Sequence, residues 1–435
     1  MRSGFAIPRD SWPRFRSPSA TRAAIATLYA LVLLLALAEV ARSLLRADRL
    51  DYTNYPFVGE VVLSGGDPYA FGFNTWPPGF LLLATVLALG SRVSAIATLC
   101  VWQLASVLAV WGTLKLLARC FVSGGEELTF WPHSPDRLAF VSAPIIVPSL
   151  FAARLFADNL QHGQINAQLL FLSLLAFVLF RERRPIAGGF TLALAASLKA
   201  VPVLLLGYLL YKRSWRALGW TIAFLIFLNL VIPVAIFGAG EVATQWRAWR
   251  AVVGGEMLQP VAHHPNQALL SALKRLLTID GGSSDPVHLP LAALSTAAVV
   301  RVFWVVALLA LVGLAWAFRR NPRDLSDRRC AGAYAICLAA MTLVSPLAWA
   351  AHFVTLVAPA MLVWNHTAGD RWRLGVWWAS FSCVTFSASG FVGWAWARRL
   401  ESLSVITVGA LLLVTLAISL VPRLGPRPAE LTTSI

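Results

Sequence analysis

The chain has 435 residues, of which 58% are hydrophobic and only 13% charged, about half the charged share of an ordinary soluble domain. Its apolar stretches are continuous rather than alternating, which excludes a β-barrel, and several reach or approach the ~20 residues that a helix needs to cross a bilayer. The formal net charge of +16 falls in short runs between those stretches, the positive-inside pattern of cytoplasmic loops rather than one basic surface, so no nucleic-acid partner is expected.

These features predict an all-α polytopic transmembrane bundle of about ten to thirteen helices. It is expected as one integral domain over 23–421, between a cytoplasmic segment 1–22 and a tail 422–435. Arg2, Arg9, Arg14, Arg16 and Arg22 precede the first span, 23–41. That span has no small-residue cleavage site and reads as uncleaved, with the N-terminus in the cytoplasm. It delivers Asp51 to the outer face. The outer loop 42–78 holds Leu50-Asp51-Tyr52-Thr53-Asn54-Tyr55-Pro56, a run Phe57–Leu63 suited to lie flat as an interfacial helix, the turn Gly65-Gly66-Asp67-Pro68-Tyr69, and Trp76-Pro77-Pro78. A carboxylate just past a transmembrane helix can stay ionised and still reach a group held by a lipid. The plainer alternative is a solvated helix end.

Residues 79–90 are short for a crossing, whereas 94–116 suffice. If 79–90 only dips in, the basic loop 115–137 lies on the inside, as the charge rule asks, and that arrangement is expected. Apolar segments 138–153 and 165–180 flank a polar connector, Arg154–Asn166, which contains Gln164 and Asn166. Beyond Arg181-Glu182-Arg183-Arg184, the apolar run Ile186–Leu198 meets Lys199-Ala200-Val201-Pro202 before Val203–Tyr211. A Lys and a Pro inside an apolar stretch predict a broken helix lining a cavity. The alternative is a kinked helix whose lysine snorkels to the headgroups.

The span 218–238 leads to an outer polar stretch, 240–290. It carries Trp246-Arg247 and Trp249-Arg250, then His263-His264-Pro265-Asn266-Gln267, then Lys274-Arg275. Aromatic and basic pairs of this kind suit an interfacial helix beside lipid phosphates. Adjacent histidines on a helix face apart and no Glu or third His stands at ligand spacing, so no metal is expected. Spans near 297–317 and 331–348 follow, the second ending in Ser345-Pro346-Leu347-Ala348-Trp349-Ala350-Ala351-His352. Shorter apolar runs occupy 353–364, 374–394 and 404–421. The five cysteines are scattered and imply neither a disulfide framework nor a zinc site.

Four polar clusters therefore gather near outer helix ends: the Asp51 loop, Gln164 and Asn166 with Lys199, the His263–Arg275 stretch, and Trp349 with His352. A transporter strings such groups along a path through the bilayer. Clustering at one surface suits an enzyme acting on a lipid-anchored substrate, with a transporter or flippase of lipid-linked sugars as the alternative.

In this order and spacing, Asp51-Tyr52-Thr53-Asn54-Tyr55, Gly66-Asp67-Pro68-Tyr69, Trp76-Pro77-Pro78, Gly163-Gln164-Ile165-Asn166, Ala196–Pro202, Asn266-Gln267 and Ser345–His352 resemble the polytopic glycosyltransferases of family eighty-seven, of GT-C architecture. The sequence departs from the family pattern at Ala268, where Ser is usual, and at Ala351-His352, where a doubled His is usual. The resemblance implies a hexosyltransferase of the cytoplasmic membrane, with its active site on the outer face. It would be inverting and would take a hexose, mannose by likeness to characterised members, from a polyprenyl-phosphate donor to a glycan or glycolipid acceptor. It implies Asp51 as general base. In that frame Lys199, His352 and Arg275 are expected at the donor phosphate. Tyr55, Asp67, Tyr69, Gln164, Asn166, Asn266, Gln267 and Trp349 are expected around sugar and acceptor. No cofactor or metal is expected, the lipid-linked sugar being substrate, and the partners are that donor, the acceptor and membrane lipids.

Overall fold

A computed structural model describes residues 51–122, 142–367 and 369–424, together with a few isolated positions. The segment 1–22 expected in the cytoplasm, nearly all of the expected first span 23–41 and the tail beyond Leu424 lie outside the described residues. Among the described residues the regular structure is helical throughout. Five helices among the described residues are long and apolar enough to cross a membrane. The exposed surfaces of two of them, Trp215–Phe237 and Thr296–Ala317, carry Trp220, Ile226, Leu230, Leu308, Leu309 and Trp316. An apolar helix that stays exposed on most sides has lipid as its solvent. The chain is a multi-pass membrane protein.

Helix α1 (Asn54–Leu63) follows one 3₁₀ turn at Asp51–Thr53. It packs along α2 (Phe80–Phe121), and at the crossing Gly59 lies directly on the carbonyl of Ala84, leaving no room for a Cβ. Extended backbone at Ser94 (φ −160°, ψ 108°) breaks α2 into two arms. The arms double back: Gly90 faces Thr98, and the Tyr55 ring touches Phe80 at 5.4 Å and Trp102 at 5.3 Å. The two arms thus form a hairpin.

Next come α3 (Ala143–His162), α4 (Asn166–Arg181), α5 (Pro185–Leu198), α6 (Leu204–Tyr211) and α7 (Trp215–Phe237, with a π-type turn at Phe227–Val231). The polar connector expected over 154–166 is mostly helical. Only Gly163 to Ile165 turns the chain, because Arg154, Asp158 and Asn159 find partners along α3 and its neighbours. Then follow α8 (Ala239–Leu258), α9 (Leu269–Leu277), α10 (Thr296–Ala317), α11 (Arg328–Val344), α12 (Val357–His366), α13 (Arg371–Phe381), α14 (Trp394–Ser402) and α15 (Val405–Leu420). Helices α11 and α12 are the most enclosed, wrapped by α3, α13 and α15. Tyr334 stacks on Phe177 at 4.4 Å and donates its hydroxyl to the Ser173 carbonyl, tying α11 to α4.

The basic runs meet at one end of the bundle. Arg119 pairs with Glu182 at 2.9 Å, Arg181 donates to the Ser326 carbonyl, Lys212 to the Pro322 carbonyl, and Arg329 pairs with Asp327. The turns that hold Asp51, Gly163, Lys199 and Trp349 close the opposite ends of the same helices.

Candidate active site

The turn after α3 organises the site. Gly163 adopts a left-handed conformation (φ 63°), and a Cβ there would fall 2.7 Å from the Cβ of Tyr52. Trp102 donates its indole N–H to the Gly163 carbonyl at 2.8 Å, and Gln103 caps the Leu160 carbonyl at 2.8 Å. This turn swings Gln164 onto Asp51. Gln164 Nε2 donates to Asp51 Oδ2 at 2.6 Å, and Gln164 Oε1 accepts from Asn166 Nδ2 at 2.7 Å. Asn166 Oδ1 in turn accepts from Lys199 Nζ at 3.1 Å, and Nζ lies 2.6 Å from His352 Nε2. Five residues from four distant stretches thereby form one hydrogen-bonded string, with a partly exposed carboxylate at one end and a Lys–His pair at the other.

Each terminus is held by its backbone. Helix α5 stops at Leu198, Lys199 is extended (φ −153°, ψ 133°), and one 3₁₀ turn at Val201–Val203 leads into α6. The sequence thus breaks its helix where Lys199 and Pro202 stand, as expected. His352 opens the 3₁₀ turn Ala350–Leu356, and the Trp349 N–H donates to its Nδ1 at 3.2 Å, which turns Nε2 toward Lys199. Buried Asn159 donates to the Ala351 carbonyl at 2.6 Å and fixes this turn to α3. Asn159 was not anticipated; an amide inside an apolar helix was its only signal.

Lys199 and His352 line a small, partly open cleft with Asn166, Leu169, Val201, Pro202, Met341 and Thr355. Its walls are mostly apolar, and its nitrogen donors stand together at one side. Donors grouped beside apolar side chains suit an anionic head attached to a hydrocarbon chain. Two nitrogens at 2.6 Å compete for protons until an anion oxygen accepts from both.

The remaining anticipated residues divide. Tyr55 is 2% exposed and forms an aromatic box with Tyr52, Trp76, Phe80 and Trp102 beneath Asp51. Tyr69 donates to the Trp76 carbonyl, and Asp67 Oδ1 accepts the Tyr69 N–H, so this pair shapes the loop. Burial pushes the phenols of Tyr55 and Tyr69 well above their ordinary range, so both remain donors. Trp349 is exposed near the Lys–His pair, free to stack on a ring.

Asn266, Gln267 and Arg275 are not in the string. Asn266 bonds the backbone of Val261, Pro346, Ala268 and Ala348. Gln267 donates to the His264 and Glu401 carbonyls. Arg275 donates to Ala262, His263, Asn266, Ser271 and Ser404, and burial lowers its pKa to about 10. Their expected place at sugar or phosphate gains nothing from this geometry. They staple the 259–268 loop under the Ser345–His352 turn, and a donor spent on a carbonyl is unavailable to a ligand.

His263 and His264 lie in a loop rather than a helix, their rings 4.4 Å apart, and Asp285 joins them with all three ligand atoms within 4.8 Å of one another. The premise that adjacent histidines face apart therefore fails here. Cations already surround the group: Arg398 Nε is 3.4 Å from His264 Nε2, and Arg275 stands beside Asp285, while Glu401 takes the other His264 nitrogen at 2.9 Å. It reads as an ion network.

Residues 74–346 match the family model for Glycosyltransferase family 87. Over 327 residues, 72% of this chain and 70% of the relative, the sequence is 28% identical to the polyprenol-phosphate-mannose-dependent alpha-(1-2)-phosphatidylinositol mannoside mannosyltransferase of Mycobacterium tuberculosis. The match takes in the Gln164–Asn166 turn, Lys199 and most of the helices that carry the string. The chain belongs to glycosyltransferase family 87 and is a membrane glycosyltransferase.

Proposed function

We propose that the protein transfers a hexose, mannose in the first instance, from a polyprenyl-phosphate carrier to a hydroxyl of a glycan or glycolipid, with inversion, at the outer face of the cytoplasmic membrane. One observation carries this reading: a partly exposed carboxylate is strung through two amides to a Lys–His pair that faces an apolar cleft. The activity named for the mycobacterial relative supports the donor class. The basic runs gathered at the opposite end of the helices support an outward-facing site.

In this reading the lipid phosphate accepts hydrogen bonds from Lys199 and His352, with the first hydrocarbon of its tail against the apolar side chains of the cleft. The acceptor O–H approaches from the Asp51 side. As its oxygen bonds the anomeric carbon, its proton passes to Asp51, and the bond from that carbon to the phosphate oxygen breaks with its electron pair on the phosphate. Positioned proton transfer contributes about 10² to 10⁴ in rate. Fixed donors at the leaving phosphate act where water is scarce and are worth most there. Gln164 and Asn166 position the base and the lysine relative to each other. No cofactor enters the scheme.

The test is transfer itself. Protein purified in detergent should move radiolabel from polyprenyl-phosphate mannose into a membrane extract of a strain lacking the gene. A flippase would show no consumption of donor in detergent, where there is no membrane to cross, and that outcome would overturn the reading.

A further inference from the structure

One polar pair beside Asp51 has no part in the string. His162 is the last residue of α3, one residue before the Gly163 turn that presents Gln164 to Asp51. The Gly163 that follows it packs against Tyr52, the residue next to Asp51. Nδ1 is turned back onto the helix, 3.0 Å from the Asp158 carbonyl and 3.3 Å from Asp158 Oδ1. That contact fixes the ring, and among the described residues Nε2 has no partner. The His162 side chain is 42% exposed and that of Asp158 28%, so the pair is open to a ligand where most polar groups at this end are enclosed.

Direction identifies the ligand. In an inverting displacement the nucleophile and the leaving group occupy opposite faces of the anomeric carbon. With the phosphate at Lys199 and His352, groups that flank Asp51 at the other end of the string stand on the nucleophile's side. We infer that Asp158 and His162 form an acceptor-binding subsite that grips a neighbouring hydroxyl of a polyhydroxylated, carbohydrate-type acceptor. A carboxylate accepts from adjacent hydroxyls, and a ring nitrogen held by its own helix offers one further hydrogen bond. The inference rests on the proposed function and adds the acceptor's recognition to it.

The experiment uses full-length protein in detergent and separates the two substrates. Initial rates are measured against dilutions of the deletion-strain membrane extract at saturating polyprenyl-phosphate mannose, and then the reverse. His162→Ala should raise the apparent KM for the extract about tenfold or more and leave the KM for the donor lipid within twofold. His162→Gln, whose amide reaches the position of Nε2, should recover part of that loss. Asp158→Asn should act in the same direction, and because it keeps the side chain's shape it serves if His162→Ala does not fold. A purely structural role would lower melting temperature and rate without dividing the two KM values. An unchanged extract KM in both variants, or an equal rise for the donor lipid, would overturn the subsite. If wild-type protein transfers and Asp51→Asn does not, the proposed function survives that failure. If wild-type protein transfers nothing, the proposed function itself falls.

Discussion

Lys199→Met is the most informative single change. The substitution keeps the length of the stem and removes the ammonium, which bonds Asn166 Oδ1 at 3.1 Å and faces His352 Nε2 at 2.6 Å. For the fold the terms oppose each other. Losing the lysine leaves one amide oxygen and one ring nitrogen without a partner, at roughly 1–2 kcal/mol, but it also removes a charge from largely apolar surroundings, which is worth a comparable amount. Stability should therefore move little. For the ligand there is no such offset, because a hydrogen bond to a charged group contributes about 1.5–3 kcal/mol and the cleft beside the ammonium is lined mostly by apolar side chains. The upper part of that range corresponds to about a hundredfold weaker binding. The assay is the Kd for polyprenyl phosphate without sugar in detergent, alongside a melting curve. Lys199→Arg should restore only part of the affinity, since a planar guanidinium is larger than the ammonium that fits beside His352. A Lys199→Met protein that melts like wild type and binds polyprenyl phosphate within threefold of it would refute the assignment of the phosphate to this pair.

Asp51→Asn should abolish transfer while leaving binding of polyprenyl phosphate intact; turnover above about a tenth of wild type would contradict a general base, given the usual size of that contribution. Gly163→Ala forces a Cβ toward Tyr52 in a left-handed turn and should cost roughly 1–2 kcal/mol, read as a lower melting temperature together with lost transfer. Treatment with EDTA should leave transfer essentially unchanged; full loss that Mg²⁺ or Mn²⁺ restores would make His263, His264 and Asp285 the first ligands to examine. Arg275→Met should impair folding rather than donor affinity, because its guanidinium holds loop carbonyls together, and a well-folded variant with weakened polyprenyl-phosphate binding would argue the opposite.

The extent to which the site can be read from the chain follows from the type of interaction. The break at Lys199–Pro202 is legible because a charge and an imino acid inside an apolar run have few structural solutions. That Asp51, Gln164, Asn166, Lys199 and His352 belong together is legible from their places at helix ends and from the family resemblance. Their order along one string is not, since hydrogen-bond partners 33 to 153 positions apart leave no local periodicity. Arg154, Asp158 and Asn159 read as loop because polarity alone is ambiguous; Asp158 and Asn159 find partners four residues away along α3, and Arg154 finds its own across the bundle at Val384, Ser387 and Glu401. Asn266, Gln267 and Arg275 read as ligand groups for a similar reason. An amide that binds sugar and an amide that staples carbonyls have the same formula, and only packing distinguishes them.

Helices α4 and α5 connect the Arg181–Arg184 turn to Asn166 and Lys199 in 16 and 14 residues. At 1.5 Å per residue they rise only about 24 and 21 Å, against a hydrocarbon slab of about 30 Å. With the basic turn at one surface, the Lys–His pair falls roughly 6–9 Å short of the other, inside the leaflet rather than above it. A carrier phosphate reaching Lys199 must then sink below its neighbours' headgroups, or the bilayer must thin around the protein to meet it. Either adjustment costs fractions of a kcal/mol for each Å of mismatch. If the donor phosphate sits at Lys199 as proposed, acyl-chain length acts on the donor step: in nanodiscs of graded thickness, turnover should fall as the surrounding lipids lengthen.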